Sequence, residues 1–135
     1  MPITVEGLTP LVQVFDMPTS VKFYRDVIGF EVVMQSSAGD DFDWCFLRLN
    51  GGGLMLNTAY EKETRPPSTD PLRIAAHEDT TLYFRSDPDA AYEHLIAQGI
   101  KVNPPTVAPY GMKQLYLKDP DGYVICFQSP AGDEE

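Results

Sequence analysis

Apolar positions along the chain change period in a fixed order, and that order occurs twice. Leu8 to Val14 is a short apolar run that predicts a strand, with Thr9, Leu11 and Gln13 on one face and Pro10, Val12 and Val14 on the other. Met17-Pro18-Thr19-Ser20 then supplies a capping residue and an early proline. Val21, Phe23, Tyr24, Val27 and Ile28 follow at helical spacing, and Gly29 ends the run, which predicts a helix from about Thr19 to Ile28. Phe30 to Met34 predicts a second strand, Ser36 to Asp41 a polar loop, and Phe42 to Leu49 a third strand. The turn Asn50-Gly51-Gly52-Gly53 leads into a fourth strand, Leu54 to Asn57.

From Thr58 to about Asp79 the period is lost; the charges and prolines around Glu61 to Pro71 predict an extended linker. The signals then return in the same order. Thr80 to Phe84 is a strand, Asp87-Pro88-Asp89 opens a helix carrying Ala90, Ala91, Leu95 and Ile96, and Gln98-Gly99 closes it. Ile100 to Val102 is expected as a strand, Asn103-Pro104-Pro105 as its break, and Met112 to Lys118 as the next strand. Asp119-Pro120-Asp121-Gly122 is a turn, with proline in its second place and glycine in its fourth, and it feeds a buried strand, Tyr123 to Gln128. Gly29 and Gly99, like Gly53 and Gly122, lie about 70 residues apart, so the chain reads as an internal repeat of βαβββ modules. The expectation is an α+β fold in one domain over residues 1–135, with modules at about 5–58 and 80–130 and a linker at about 59–79.

With 135 residues and 43% hydrophobic content the chain can bury one ordinary core. No apolar run is long enough to span a bilayer, and the first residues have neither the basic start nor the apolar stretch of a signal peptide, so a cytoplasmic protein with no membrane partner is expected. A formal charge of -10 leaves no basic stripe for nucleic acid, while its field favours cationic ligands. Cys45 and Cys126 both fall in predicted strands and read as buried small groups rather than zinc ligands.

Val14-Phe15-Asp16-Met17, Phe23-Tyr24-Arg25-Asp26 and Ile28-Gly29-Phe30, with Gly111-Met112, the Asp119 to Gly122 turn and the strand behind it, resemble the vicinal-oxygen-chelate superfamily of glyoxalases, extradiol dioxygenases and bleomycin-resistance proteins. The resemblance runs from about Leu8 to Gln128. It implies two βαβββ modules in pseudo-twofold relation, curved sheets around a cleft, and a homodimer. Metal-dependent members of that group take ligands, typically His and Glu, from the first and last strands of each module. The matching slots here hold Thr9, Thr80 (or Thr81 in the neighbouring register), Asn57 and Cys126. These are poor donors for a divalent cation, so neither a metal nor another cofactor is expected.

Two histidines bear on that expectation. His77 would reach the cleft if the Thr80 strand began earlier; otherwise it is a solvated linker residue. His94 reads as a helix-surface residue, and no Ser/His/Asp constellation or other catalytic group can be assembled. Cys126 reads as an inert thiol lining the cleft.

What remains is a binding surface. Trp44, Phe46 and Arg48 alternate on one strand face, Met55 and Asn57 join from the next strand, and Tyr110, Met112, Gln114 and Cys126 come from the second module. Asp40, Asp41 and Asp43 beside Trp44 suit a bulky cation and equally suit a solvated loop. Three classes stay open: a metal-free binding protein like the bleomycin-resistance members, a metal-dependent lyase, isomerase or dioxygenase using His77, and a dimeric interaction module without a small ligand.

Overall fold

The computed structural model describes residues 2–58 and 60–134; Met1, Ala59 at the head of the expected linker, and Glu135 lie outside the described residues. The chain divides into two compact units, Met1–Pro67 and Ser68–Glu135. In the first unit β1 (Leu11–Val14), β2 (Glu31–Gln35), β3 (Trp44–Leu49) and β4 (Gly52–Thr58) form a sheet in the order β1-β4-β3-β2. In the second, β5 (Thr81–Arg85), β6 (Thr106–Val107), β7 (Met112–Lys118) and β8 (Val124–Pro130) form a sheet in the order β5-β8-β7-β6. Each sheet thus runs first-fourth-third-second, with its first strand parallel to its last and the other pairs antiparallel. The repeat read from glycine spacing is a repeat of topology.

A helix covers one face of the first sheet. Asp16 caps α1 (Met17–Val21), Pro18 sits in its first turn, and the helix continues as a wider π-type segment, Lys22–Ile28, which Gly29 closes by donating its N–H to the Tyr24 carbonyl at 3.0 Å. Met17, Val21, Tyr24 and Ile28 fall on one side of it and are buried, as are Val12, Val14, Cys45, Leu47, Leu54 and Leu56 of the sheet. The second unit is built alike around α3 (Pro88–Ala97). Asp87 is its cap, Pro88 and Leu95 are buried, and Leu115, Leu117, Ile125 and Phe127 of the sheet are buried too.

Two expectations need correction. The segment before the second module is not an extended linker, because Pro71–His77 forms a helix, α2, capped by Asp70, whose carboxylate accepts the Leu72 N–H at 3.0 Å. Ile100 to Val102 is not a strand; Thr106 and Val107 pair with β7 instead, at Gln114 and Lys113. The apolar triplet is too short, and too close to two prolines, to hold a ladder. No helix among the described residues is long and apolar enough to cross a membrane.

Candidate functional site

Pairing register decides which side chains share a face. In the first sheet Trp44 lies opposite Asn57, Phe46 opposite Met55 and Arg48 opposite Gly53, while Leu11 and Gln13 of β1 stand beside Met55 and Asn57. All alternate with the buried residues that face α1, so the five predicted residues Trp44, Phe46, Arg48, Met55 and Asn57 are brought together on the face away from that helix. Four of them are half-buried and Arg48 is exposed. Asn57 Nδ2 donates to Gln13 Oε1 at 3.3 Å and to the Thr58 carbonyl at 3.4 Å. At the other end the Phe46 ring lies over Gly53: a Cβ there would sit 3.1 Å from the ring, and the Thr9 hydroxyl is nearby at 3.6 Å. The Arg48 guanidinium lies 5.3 Å from the Phe46 ring centre, within cation–π range.

In the second sheet Gln114 is opposite Gln128, Tyr116 opposite Cys126, and Tyr83 flanks Cys126 on the other side. Met112, Gln114 and Cys126 therefore share a face, as expected. Tyr110 lies in the turn before β7, exposed, and its hydroxyl accepts from Gln114 Nε2 at 2.8 Å; the same amide nitrogen donates to Gln128 Oε1 at 2.9 Å. Cys126 is fully buried, and that burial raises its thiol above the usual range despite a hydrogen bond with Tyr116, which suits an inert group. The Tyr116 hydroxyl is likewise held protonated beyond its ordinary range, first by desolvation and then by Tyr83. The sequence alone does not assign Gln13 to the face in the first sheet, or Tyr83, Tyr116 and Gln128 to the face in the second. Their signal is the alternation along the strands, usable only once the register of β5 and β1 against their partners is known.

The slots where metal-dependent proteins of the resembled group hold ligands contain no suitable donor set. Thr9 precedes β1, Thr80 precedes β5, and it is Thr81 that shares a face with Tyr83. Hydroxyls, an amide and a buried protonated thiol do not replace carboxylates and imidazoles, and no group of three His, Cys, Asp or Glu among the described residues could hold a metal ion.

His77 is neither a cleft ligand nor a solvated linker residue. It ends α2 and stacks on Tyr123 with ring centres 4.1 Å apart. Its Nδ1 is 2.7 Å from the Asp121 carbonyl, and a carbonyl only accepts, so Nδ1 carries the proton; Nε2 then accepts from the Tyr123 hydroxyl at 3.2 Å. The histidine fastens α2 to the Asp119 to Gly122 turn. His94 is exposed in the last turn of α3.

The aspartates beside Trp44 also differ from expectation. Arg25 holds Asp40 through two contacts of 3.0 and 3.1 Å, which lowers the Asp40 carboxyl. Arg65 bridges Asp41 at 2.7 Å and Asp16 at 2.9 Å and donates to the Phe15 carbonyl at 3.2 Å. Two of the three charges offered to a cation are thereby neutralised within the protein.

The family model of the Glyoxalase/Bleomycin resistance protein/Dioxygenase superfamily matches residues 8–127. The chain belongs to that superfamily. No curated protein matches it in sequence. Among solved structures of this superfamily's fold, it is similar to a bleomycin resistance determinant encoded on the transposon Tn5, at 20% identity over 93% of this chain and 98% of that one, with a TM-score of 0.71. It is also similar to the bleomycin-binding protein of bleomycin-producing Streptomyces verticillus, solved with copper(II)-bleomycin, at 20% identity, 93% and 96% coverage and a TM-score of 0.65. An integron cassette protein from the mobile metagenome of the Halifax Harbour sewage outfall matches at 22% identity, 93% and 99% coverage and a TM-score of 0.66.

Proposed function

We propose that this protein binds an organic small molecule on the aromatic faces that its sheets turn away from their helices, holds it without a metal and does not transform it. The observation that carries the reading is the register that puts Trp44, Phe46, Met55 and Asn57 on one half-buried face, where the Asn57 amide is already hydrogen-bonded to Gln13, a surface suited to planar apolar matter. Similarity to a bleomycin-binding protein and a bleomycin resistance determinant supports a small-molecule ligand over an interaction module, and His77, committed to the Asp121 turn, gives no support to the enzymatic alternative. The preference for cations inferred from composition loses its local basis in the ion pairs of Asp40 and Asp41.

Trp44 is the single tryptophan, so its fluorescence reports on this face alone. Titration with a panel of aromatic compounds, bleomycin included, is expected to change that emission and raise the melting temperature, with no stoichiometric Mn, Fe, Ni or Zn in the purified protein. A panel that moves neither signal refutes binding; stoichiometric metal refutes the metal-free reading. The sheets end on β1 and β2 and on β5 and β6, and unpaired edges favour association, so a homodimer is part of the proposal. Sedimentation as a monomer at micromolar concentration would remove it.

A further inference from the structure

The first sheet's face away from α1 does not carry the acidic excess of the chain: among the described residues its charges are one cation, Arg48, and one anion, Glu31, on neighbouring strands. Of the acidic groups next to Trp44, Asp40 and Asp41 are held by Arg25 and Arg65. Asp43 precedes β3 one position out of phase with Trp44. On the face itself the cation is Arg48, two residues beyond Phe46. Its position opposite Gly53 leaves no side chain across from it on β4, and the Phe46 ring, lying over that glycine, forms the platform against which the guanidinium rests. Across the other strand Glu31 stands opposite Arg48, yet among the described residues the two make no ion pair. A guanidinium resting on an aromatic ring keeps its N–H edges for another partner, and their fork matches a carboxylate.

We infer that the ligand of this face is an aromatic or similarly flat molecule bearing an anionic group, a carboxylate by preference, that lies across Trp44, Phe46 and Met55 and pairs its charge with Arg48. This rests on the small-molecule reading above and supplies its ligand class. The net charge of -10 acts against such a ligand at long range, but that field is screened over about 8 Å at physiological salt, whereas a seated pair is in contact. Residues of one face recur at about 6.6 Å along a strand, so Trp44 to Arg48 spans about 13 Å, room for a two-ring acid together with its hydrogen bonds to the guanidinium and more than a single small anion fills.

Three compounds of one shape test it: 2-naphthoate, 2-naphthamide and 2-naphthylmethylammonium, titrated by calorimetry into the intact protein and into Arg48→Gln and Arg48→Lys. Naphthoate is expected to bind tightest. Arg48→Gln is expected to weaken it by about tenfold to a hundredfold, the range for charge-assisted hydrogen bonds, and to weaken naphthamide by less than about tenfold, because a neutral carbonyl makes the weaker bond; Arg48→Lys restores part of the loss. Arg48 is exposed, so an unchanged melting temperature verifies that the variants fold. Equal binding of the three compounds, or preference for the ammonium, overturns the anionic class while the binding reading stands. No binding of any of them, with Trp44 emission unchanged, overturns both.

Discussion

Gly122→Ala isolates the docking of α2 onto the hairpin turn. Gly122 has φ +89°, where a residue with a Cβ costs roughly 1–2 kcal/mol. It is also in contact: a Cβ would fall 2.7 Å from the Ile74 carbonyl oxygen and 3.0 Å from Ile74 Cγ2. The first of these is backbone of α2, so the helix must shift, and forced overpacking of this kind costs about 1–3 kcal/mol. The expected loss is therefore about 2–5 kcal/mol, a large part of the roughly 5–15 kcal/mol that holds a domain folded. Gly99→Ala is the matched control, since Gly99 has φ +82° and nothing within 4 Å of the new carbon. It should lose only the conformational part, about 1–2 kcal/mol. Urea denaturation of both variants gives the two numbers, and amide hydrogen exchange over residues 71–77 shows whether α2 has lifted. If Gly122→Ala lies within about 0.5 kcal/mol of Gly99→Ala, with α2 equally protected, the helix is not seated against the turn and the reasoning fails.

Arg65→Ala leaves Asp16 and Asp41 facing each other without their cation and should cost about 1–3 kcal/mol in urea denaturation. Arg25→Ala, whose partners Asp26 and Asp40 are about half exposed, should cost far less; equal losses would refute the distinction. Burial pushes the Cys45 thiol up to about 11 from an ordinary 9.0, so the folded protein keeps this proton after the unfolded chain has lost it. Its contribution is complete below pH 9 and falls between pH 9 and 11 by about 1.4 kcal/mol per pH unit, and Cys45→Ala should reduce the slope of stability, measured by urea denaturation across the window, by about that amount, the share of Cys126 and Tyr116 remaining.

Legibility in the sequence followed the strength of the local signal. Leu115, Tyr116, Leu117 and Lys118 alternate between apolar and polar ahead of the Asp119 turn, and the expected strand Met112 to Lys118 has the observed bounds; the Asp87-Pro88 pair marks the start of α3. The same pair at Asp70-Pro71 marks α2, but it was hidden among prolines that say loop, and Pro71–His77 buries no residue that would give it a helical period. Trp44, Phe46 and Arg48 fall on one face because alternate residues of a single strand point the same way, and the short Asn50-Gly51 turn brings Met55 and Asn57 opposite them. Thr80 and Thr81 are not distinguished in the sequence because β5 pairs with β8 across some forty residues, and nothing local sets that register. The roles of Arg65, His77 and the loop aspartates depend on contacts distant in sequence, which no periodicity reports.

The stretch between the modules is shared out rather than spanned. Tyr60 packs edge-on against Phe15 and Arg65 reaches Asp16 and Asp41, so its first part is fastened to the first unit. Asp70 to His77 is fastened to the Asp119 turn, so its last part belongs to the second. The seam falls at Pro67 and Ser68. New chain ends opened there would sever neither the Arg65 bracket nor the α2 seat, and each half would carry away every fastening described for it; this is the point at which a circular permutant, or a pair of separately expressed halves, retains its local anchors.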